Sequence, residues 1–493
     1  MIARGQGLHL AGRLLLAMLV TACSVGPKYE APATGSPAPF RFNKAEGDPV
    51  FPAAGWWTMF RDPELNRQVE AVLAANQDLA QALARFDETR ALLGLARAEL
   101  APSIGAGAAV SKGRTSETVA NRLPFLDTTV YAAQLNVAYE IDFWGRVRHS
   151  VASARAQLEG SAYAVANLRL SLAAEAAGAY LQLRSDDREI FVLEQTLVLR
   201  ETALTLAERR AKAGTIGDLD VLRARADLAL TRADLEDLRR RRELGLHVLA
   251  VLQNRYAPDF DIAPNPLEPF IPEVPAGLTS QLLERRPDVA LNERAVASAS
   301  EEIGVAVANF FPRIQITGYG GAASRELSSL FRQGSSIWLL APSISLPLFD
   351  GGRNRSNFDA AQARYRQALA EYRKSTLTAF REAQDALASA AYLRERGAAL
   401  RVAVENSAKS AKVSRSRYDH GQAGYFEVVE SERDALNNRR TEIQNDQLRS
   451  IAALSLIKAL GGGWKPGDPV PDAPREPAPG EMPFLPTAAA ASP

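Results

Sequence analysis

The stretch "YAAQLNVAYEIDFWGR", Tyr131 to Arg146, holds two kinds of structure and the break between them. Tyr131, Ala133, Leu135, Val137, Tyr139, Ile141 and Phe143 are apolar, and Gln134, Asn136, Glu140 and Asp142 stand between them. A period of two from Tyr131 to Phe143 puts the apolar side chains on one face of a β-strand. Tilted strands of about 9–11 residues cross a bilayer, so this one is long enough to span. After the break the pattern changes. Gly145 to Ala213 contains no proline and reads as one very long helix.

Three more segments read as strands: Ile104–Ser111, Ile314–Gly320 and Ile337–Phe349. Alternation is poorer in the last two, and Pro342 and Pro347 confine the final strand to an edge or rim. Four strands cannot close a barrel, and an open sheet edge is not tolerated in lipid. The barrel must then be shared between chains. Two copies give eight strands with a filled interior, and three give twelve with room for a lumen. Geometry alone does not choose between them.

The chain is one unit written twice. "NQDLAQALARFDETRALLGLARAELAP", Asn76–Pro102, matches "RPDVALNERAVASASEEIGVAVANFFP", Arg286–Pro312, at an offset of 210. "DFWGR", Asp142–Arg146, matches "LFDGGR", Leu348–Arg353, and from Arg146 onward the offset is 207. Each half reads helix, strand pair, very long helix, glycine break, helix. The second long segment, Gly352 to His420, is also free of proline. At 1.5 Å per residue each would reach roughly 100 Å. Phe358, Ala361, Tyr365, Ala368 and Tyr372 follow coiled-coil spacing, whereas "LAAEAAGAY", Leu172–Tyr180, is small on more than one face. Small residues on two faces suit a helix built into a cylinder wall. The organisation predicted is residues 1–22 signal peptide, 23–55 lipidated arm, 56–256 first repeat, 257–277 proline-rich linker, 278–464 second repeat and 465–493 disordered proline-rich tail.

Among 493 residues there is one cysteine, Cys23, so no intrachain disulfide forms. Arg4 and Arg13 precede the apolar run Leu14–Val20, which is too short to span as a helix and reads as a signal peptide. Val20-Thr21-Ala22-Cys23 resembles a bacterial lipobox, which implies an N-acyl group and an S-diacylglycerol on Cys23. Ser24, beside it, resembles the outer-membrane address. Net charge is +1, and −1 once Arg4 and Arg13 leave with the signal, so no nucleic acid or other polyanion is implied as a partner.

Catalysis has little to stand on. His9, His149, His247 and His420 are scattered, and there is no cysteine–histidine cluster for zinc. No phosphate loop is present, and "GYGG", Gly318–Gly321, lies in a strand without a dinucleotide fingerprint. Four methionines do not support a soft-metal relay. The pair Asp186–Asp187 reads as ordinary helical surface on which nothing converges. The expectation is a protein that is not an enzyme and has no cofactor beyond its covalent lipid.

These motifs together resemble the TolC-like outer membrane factors, in particular their lipoprotein efflux branch of the OprM/NodT type. The resemblance covers roughly Trp56 to Trp464. It is carried by "WWTMFRDPELNRQVEAVLAANQDLAQALAR" (Trp56–Arg85), "LLERRPDVALNE" (Leu282–Glu293), "ANFFPRI" (Ala308–Ile314), "LPLFDGGR" (Leu346–Arg353) and the two glycine breaks. "LLERRPDV" leans toward the branch served by RND pumps. The resemblance implies a mainly α fold with a transmembrane β-barrel, a homotrimer of twelve strands and twelve helical columns. It implies a passive duct in the outer membrane of a Gram-negative bacterium with a periplasmic extension, exporting small molecules.

Its partners would be outer membrane lipid, a periplasmic adaptor and an inner-membrane RND pump. The tips that meet the adaptor would be Gly214, Thr215, Ile216 and Gly217 with Gly421, Gln422, Ala423 and Gly424. Asp220 and Tyr418 match positions that join neighbouring coils and hold the tips inward, and Glu427 and Glu430 match acidic positions ringing the entrance. Ala423 stands where some relatives carry an arginine latch two residues after the turn glycine. Two alternatives are a duct for type I secretion and a lipid-anchored coiled-coil scaffold without a pore. A lipoprotein enzyme needs a convergent polar pocket, and an adaptor needs one helical hairpin and a soluble β-domain.

Overall fold

The computed structural model describes residues 24–33, 40, 42, 55–114, 116, 127–273, 285–468 and 470. Cys23, the signal segment 1–22 and the end of the tail lie outside these residues. After a 3-10 turn at Trp56–Phe60 come α1 (Pro63–Ala75), α2 (Gln77–Ala98), β1 (Ser103–Arg114), β2 (Asp127–Ile141), α3 (Arg146–Lys212) and α4 (Asp218–Leu252). The second half contributes α5 (Pro287–Ala308), β3 (Arg313–Ser324), β4 (Ser336–Ser345), α6 (Arg353–Asp419) and α7 (Tyr425–Ala459).

The duplication holds element by element. α2 and α5 are both 22 residues, with bounds 210 apart. α3 and α6 are both 67 residues, and α4 and α7 both 35, with bounds 207 apart. The break in "DFWGR" has a local cause. The strand expected to reach Phe143 stops at Ile141 because Asp142 turns to cap α3, accepting from Val147 N at 3.1 Å and Arg148 N at 2.8 Å. Asp350 does the same for α6, accepting from Gly352 N at 3.0 Å and Asn354 N at 2.9 Å. β4 likewise stops at Ser345, ahead of Pro347, rather than at Phe349.

The four strands form one antiparallel sheet in the order β1-β2-β3-β4. Its register sorts the side chains, since directly opposed residues share a face. Leu135 lies opposite Ala106 and Gly320, Val137 opposite Ile104 and Gly318, and Ile141 opposite Ile314. Trp338, Leu340 and Ile344 continue the same face into β4, opposite Gly320, Gly318 and Ile314. The other face carries Gln134, Asn136, Glu140, Gln315, Thr317 and Ser343. Ile337 and Leu339 fall on that polar face, which is why β4 alternates poorly in sequence. As the prolines required, β4 is an edge strand of this sheet.

The chain divides into two compact units. The first, Met1–Ala38, Asp87–Ala164 and Pro287–Phe380, holds the sheet. There α5 packs on α3 with small and polar contacts: Ser153 Oγ lies 3.0 Å from Ser298 Oγ, and Gln157 Nε2 donates to it at 3.2 Å. The second, Pro39–Phe86, Val165–Arg286 and Arg381–Pro493, has the larger apolar core. Trp56, Phe60, Leu65, Val69, Ala176, Tyr180, Leu183, Leu249 and Ile457 are buried together there. Each large side chain so buried contributes about 1.5–3 kcal/mol before entropy is charged. Asp62 starts this core: it caps α1 through Glu64 N and Leu65 N and accepts from the Tyr180 hydroxyl at 2.8 Å.

One expectation is corrected in this unit. Asp186 and Asp187 are not helical surface but are each 3% exposed. Arg184 Nη1 at 2.6 Å, Arg242 Nε at 2.7 Å and Asn265 N at 2.9 Å all donate to Asp187. Arg242 also reaches Ile262 O, and Arg184 reaches Ala263 O, so residues 262–265 are tied to α3 and α4. Burial pushes the Asp186 carboxyl up to about 6, against the pull of Arg241 and the Gln182 amide. Composition hid this cluster, because a charged pair on a helix reads as solvated until tertiary contacts bury it.

Candidate functional site: the two glycine hairpins

Each long helix ends in the same way. At the end of α3, Gly214 takes φ +70°, Gly214 N donates to Ala211 O at 2.9 Å and Thr215 N donates to Arg210 O at 3.0 Å. At the end of α6, Gly421 takes φ +72°, Gly421 N donates to Tyr418 O at 3.0 Å and Gln422 N to Arg417 O at 2.8 Å. Paired bonds of this kind define the Schellman motif, which satisfies the last carbonyls and demands a left-handed residue. Gly217 and Gly424 then serve as N-caps of α4 and α7 with ordinary extended backbone, φ −87° and −77°. Neither helix start has a side-chain cap, and Asp218, Asp220 and Glu427 place negative charge in the first turn instead.

The eight expected tip residues therefore form two matching loops. Thr215, Gly214, Gly217, Gly421, Gln422 and Gly424 are exposed, and Ile216 and Ala423 are half-buried. Leu219 and Phe426, at equivalent positions of the two halves, are both exposed just beyond the turns, at 58% and 56%. Beneath them Ala203, Ala207, Val221, Ala224, Tyr418, Tyr425, Val428 and Val429 make a small core shared by both hairpins.

Arginines join one hairpin to the other. Arg210 of α3 lies over the Tyr418 ring, 4.5 Å from its centroid, and donates to Tyr418 O and Asp419 O at 3.3 Å. A cation thus caps the C-terminal carbonyls of α6. Deeper in, Arg200, 4% exposed, pairs with Asp227 of α4 and Glu432 of α7, each at 3.5 Å. Burial raises the Asp227 carboxyl, and the Arg200 charge opposes that rise. Arg415 reaches Glu432 as well, at 3.5 Å.

The proposed gate residues occupy different settings. Tyr418 is 4% exposed and its ring lies 5.6 Å from that of Tyr425. Both hydroxyls are buried with no hydrogen-bond partner among the described residues. Asp220 is within 3.9 Å of Arg223 of its own helix. Glu427 pairs with Arg417 at 2.5 Å and Glu430 with Arg433 at 2.5 Å, so each carboxylate has a cation of its own chain beside it.

With the hairpins in view, the comparisons with known proteins decide the family. The family model for outer membrane efflux protein matches residues 69–252 and again 278–462. The chain belongs to the outer membrane efflux protein family. The outer membrane protein OprJ of Pseudomonas aeruginosa is 33% identical over 460 residues, covering 92% of this chain and 96% of that one. The solvent efflux pump outer membrane protein SrpC of Pseudomonas putida is 32% identical over 458 residues, covering 91% and 97%. The solved outer-membrane channel OprN superposes with a TM-score of 0.84 at 30% identity, covering 90% of this chain and all of that one.

In this outer membrane efflux protein, sequence spacing found both turns and both positive-φ glycines. It missed the arginines. Arg210 and Arg417 are 207 apart in the last turn of matching helices, a signal present in the repeat. Arg200 has no such signal, because the matching residue of the second half is Ser407.

Proposed function

We propose that the chain is one third of the outer membrane duct of a tripartite efflux system. The observation that supports this most is the sheet. One face carries apolar side chains from all four strands and the other carries most of the polar ones, and β1 and β4 each have an edge with no partner strand among the described residues. Ile104, Leu135, Trp338 and Ile344 are 55–80% exposed on the apolar face. In water that surface invites aggregation. In lipid it is satisfied, provided the edges close on copies of the same chain. Three chains bring twelve strands, enough for a lumen lined by the polar face. A scaffold without a pore leaves this two-faced sheet without a role.

Cys23 carries the lipid that anchors each copy in the outer membrane, since several acyl chains bind far more firmly than one. The hairpin tips meet the periplasmic adaptor of an RND pump, with Leu219 and Phe426 as equivalent apolar contacts beside the glycines. Tyr418 and Asp220 hold the tips of adjacent copies inward. Glu427 and Glu430 ring the closed mouth, three of each, and favour cations.

Planar-bilayer recording tests the reading. The purified protein gives small, cation-preferring conductance steps, and Glu427→Gln with Glu430→Gln lowers that preference. Because Arg417 and Arg433 already screen these carboxylates, the preference falls without reversing. Unchanged selectivity removes the two residues from the mouth, and absence of conductance removes the duct.

A further inference from the structure

Residues 24–29 are not free chain. Val25 N donates to Trp144 O at 3.1 Å, tying the arm to the end of β2. His149, one turn into α3, holds it from the other side. Its Nε2 lies 3.0 Å from Val25 O and 3.1 Å from Ser24 Oγ, and its Nδ1 lies 2.5 Å from Glu301 Oε2 on α5. Nδ1 donates to the Glu301 carboxylate, and Nε2 donates to Val25 O only in the charged form, since in the neutral form it can only accept, from the Ser24 hydroxyl.

The packing is equally specific. Gly26 takes φ +126°, and a Cβ there would stand 2.8 Å from Gly304 Cα. A Cβ on Gly304 would stand 2.6 Å from His149 Nδ1. Two glycines thus leave room for the arm and the ring to lie against α5. Farther on, the Tyr29 hydroxyl donates to Glu293, two turns nearer the start of α5, and Glu293 is braced by Arg294. The arm therefore runs along α5 from Glu301 toward Glu293.

We propose that the His149 imidazolium and Glu301 form a seat for the N-terminal arm, which holds the acyl-bearing position at the helix end of the sheet. Consecutive Cα atoms stand about 3.8 Å apart, so a seated Ser24 keeps its neighbour Cys23 within one residue of the seat. Close by, Trp144 stacks on Phe311 at 4.7 Å, meets Phe143 at 4.8 Å and donates from Nε1 to Pro312 O at 2.8 Å. Aromatic side chains at the end of membrane strands mark the lipid–water boundary. The seat stands on its own geometry, and its meaning for the lipid rests on the acylation of Cys23 proposed above.

The charged groups facing His149 are Glu301 from α5 and Arg148 from its own helix, and the arm presents only a hydroxyl and a carbonyl. Arg148 is itself engaged by Asp142 at 3.3 Å. The hydrogen bond to Glu301 raises the His149 pKa above its ordinary value of 6.5, and burial opposes this only in part. A raised histidine pKa means that the seat is fully closed below the ordinary value. It opens as pH rises through the raised one.

The test is a nitroxide on Lys28→Cys, an exposed arm position, read by electron paramagnetic resonance in the full trimer in lipid nanodiscs. Cys23 is the only native cysteine, so the same label is also read in a Cys23→Ser, Lys28→Cys chain, where it reports the arm alone. The label is immobilised near pH 6, and its rotational correlation time falls several-fold as the solution is made alkaline. His149→Ala frees it at every pH. Gly304→Ala frees it without altering any charge. An arm that stays immobile across the pH range, and in whichever variant folds, overturns the seat. Intact mass separates the two readings: an unacylated Cys23 refutes the lipid's placement, while the Cys23→Ser, Lys28→Cys spectrum still reports the seat.

Discussion

A double Gly214→Val, Gly421→Val variant is expected to assemble normally and export nothing. Both glycines hold φ near +70°, where L-residues pay roughly 1–2 kcal/mol each and β-branched residues more. No atom beyond the adjoining residues lies within 4 Å of a Cβ built at either position, so the cost comes from the backbone conformation rather than from tertiary crowding. The Schellman bonds to Arg210 O and Arg417 O are what the substitution strains. Their loss reshapes the loops while leaving the sheet and the larger apolar core untouched. Gly217 and Gly424, at φ −87° and −77°, give the control, since alanine fits there. Cells carrying the valine pair should match a deletion strain in compound susceptibility while trimers persist on native gels. Cells carrying Gly217→Ala with Gly424→Ala should export normally. Equal behaviour of the two pairs would show that the turn geometry is not what the tips are used for.

Replacing Arg200 should open the closed channel more than any single change at the expected gate residues. Arg200→Met keeps the bulk and removes the charge that Asp227 and Glu432 share. Breaking a buried pair by removing one partner costs about 3–5 kcal/mol, because the remaining charge is left desolvated. Here Glu432 keeps Arg415, whereas Asp227 is left with only the weaker field of Arg433. The Asp227 pair braces α3 on α4 and the Glu432 pair ties α3 to α7, so under the proposed closed mouth their loss lets the two hairpins separate. Basal conductance in planar bilayers should rise sharply, and Arg200→Met with Asp227→Asn should bring part of it back. Tyr418→Phe is the contrast. Its hydroxyl has no partner among the described residues, so removing it relieves a buried polar group within the chain. Because the hydroxyl is buried within its own chain, Tyr418→Phe is expected to leave the basal conductance unchanged.

Most of the fold was legible because it is periodic. The alternation through Tyr131–Ile141 marked a strand, the absence of proline marked the long helices, and the constant offset of 207 predicted where the second pair of helices begins and ends. Ends of elements were less legible. Asp142 stops β2 early by capping a helix, a role that emerges only when the backbone turns, and β4 stops ahead of Pro347. The tip glycines were readable from spacing, whereas the Arg200 cluster was not. Its three members lie on three helices, and although Asp227 matches Asp434, Arg200 matches Ser407 and Glu432 matches Arg225, so the arginine-centred pairs are not repeated in the other half. His149 was equally silent: as one of four scattered histidines it carried no pattern until the arm and α5 were seen on either side of it.

Everything proposed for the duct depends on sheet edges that one chain leaves open. The most direct test is single-particle imaging of the mature protein in lipid nanodiscs. The account predicts three copies, with β1 of each hydrogen-bonded to β4 of the next and a water-filled passage along the axis. A stable single chain, with both edges bare and no passage, would contradict it.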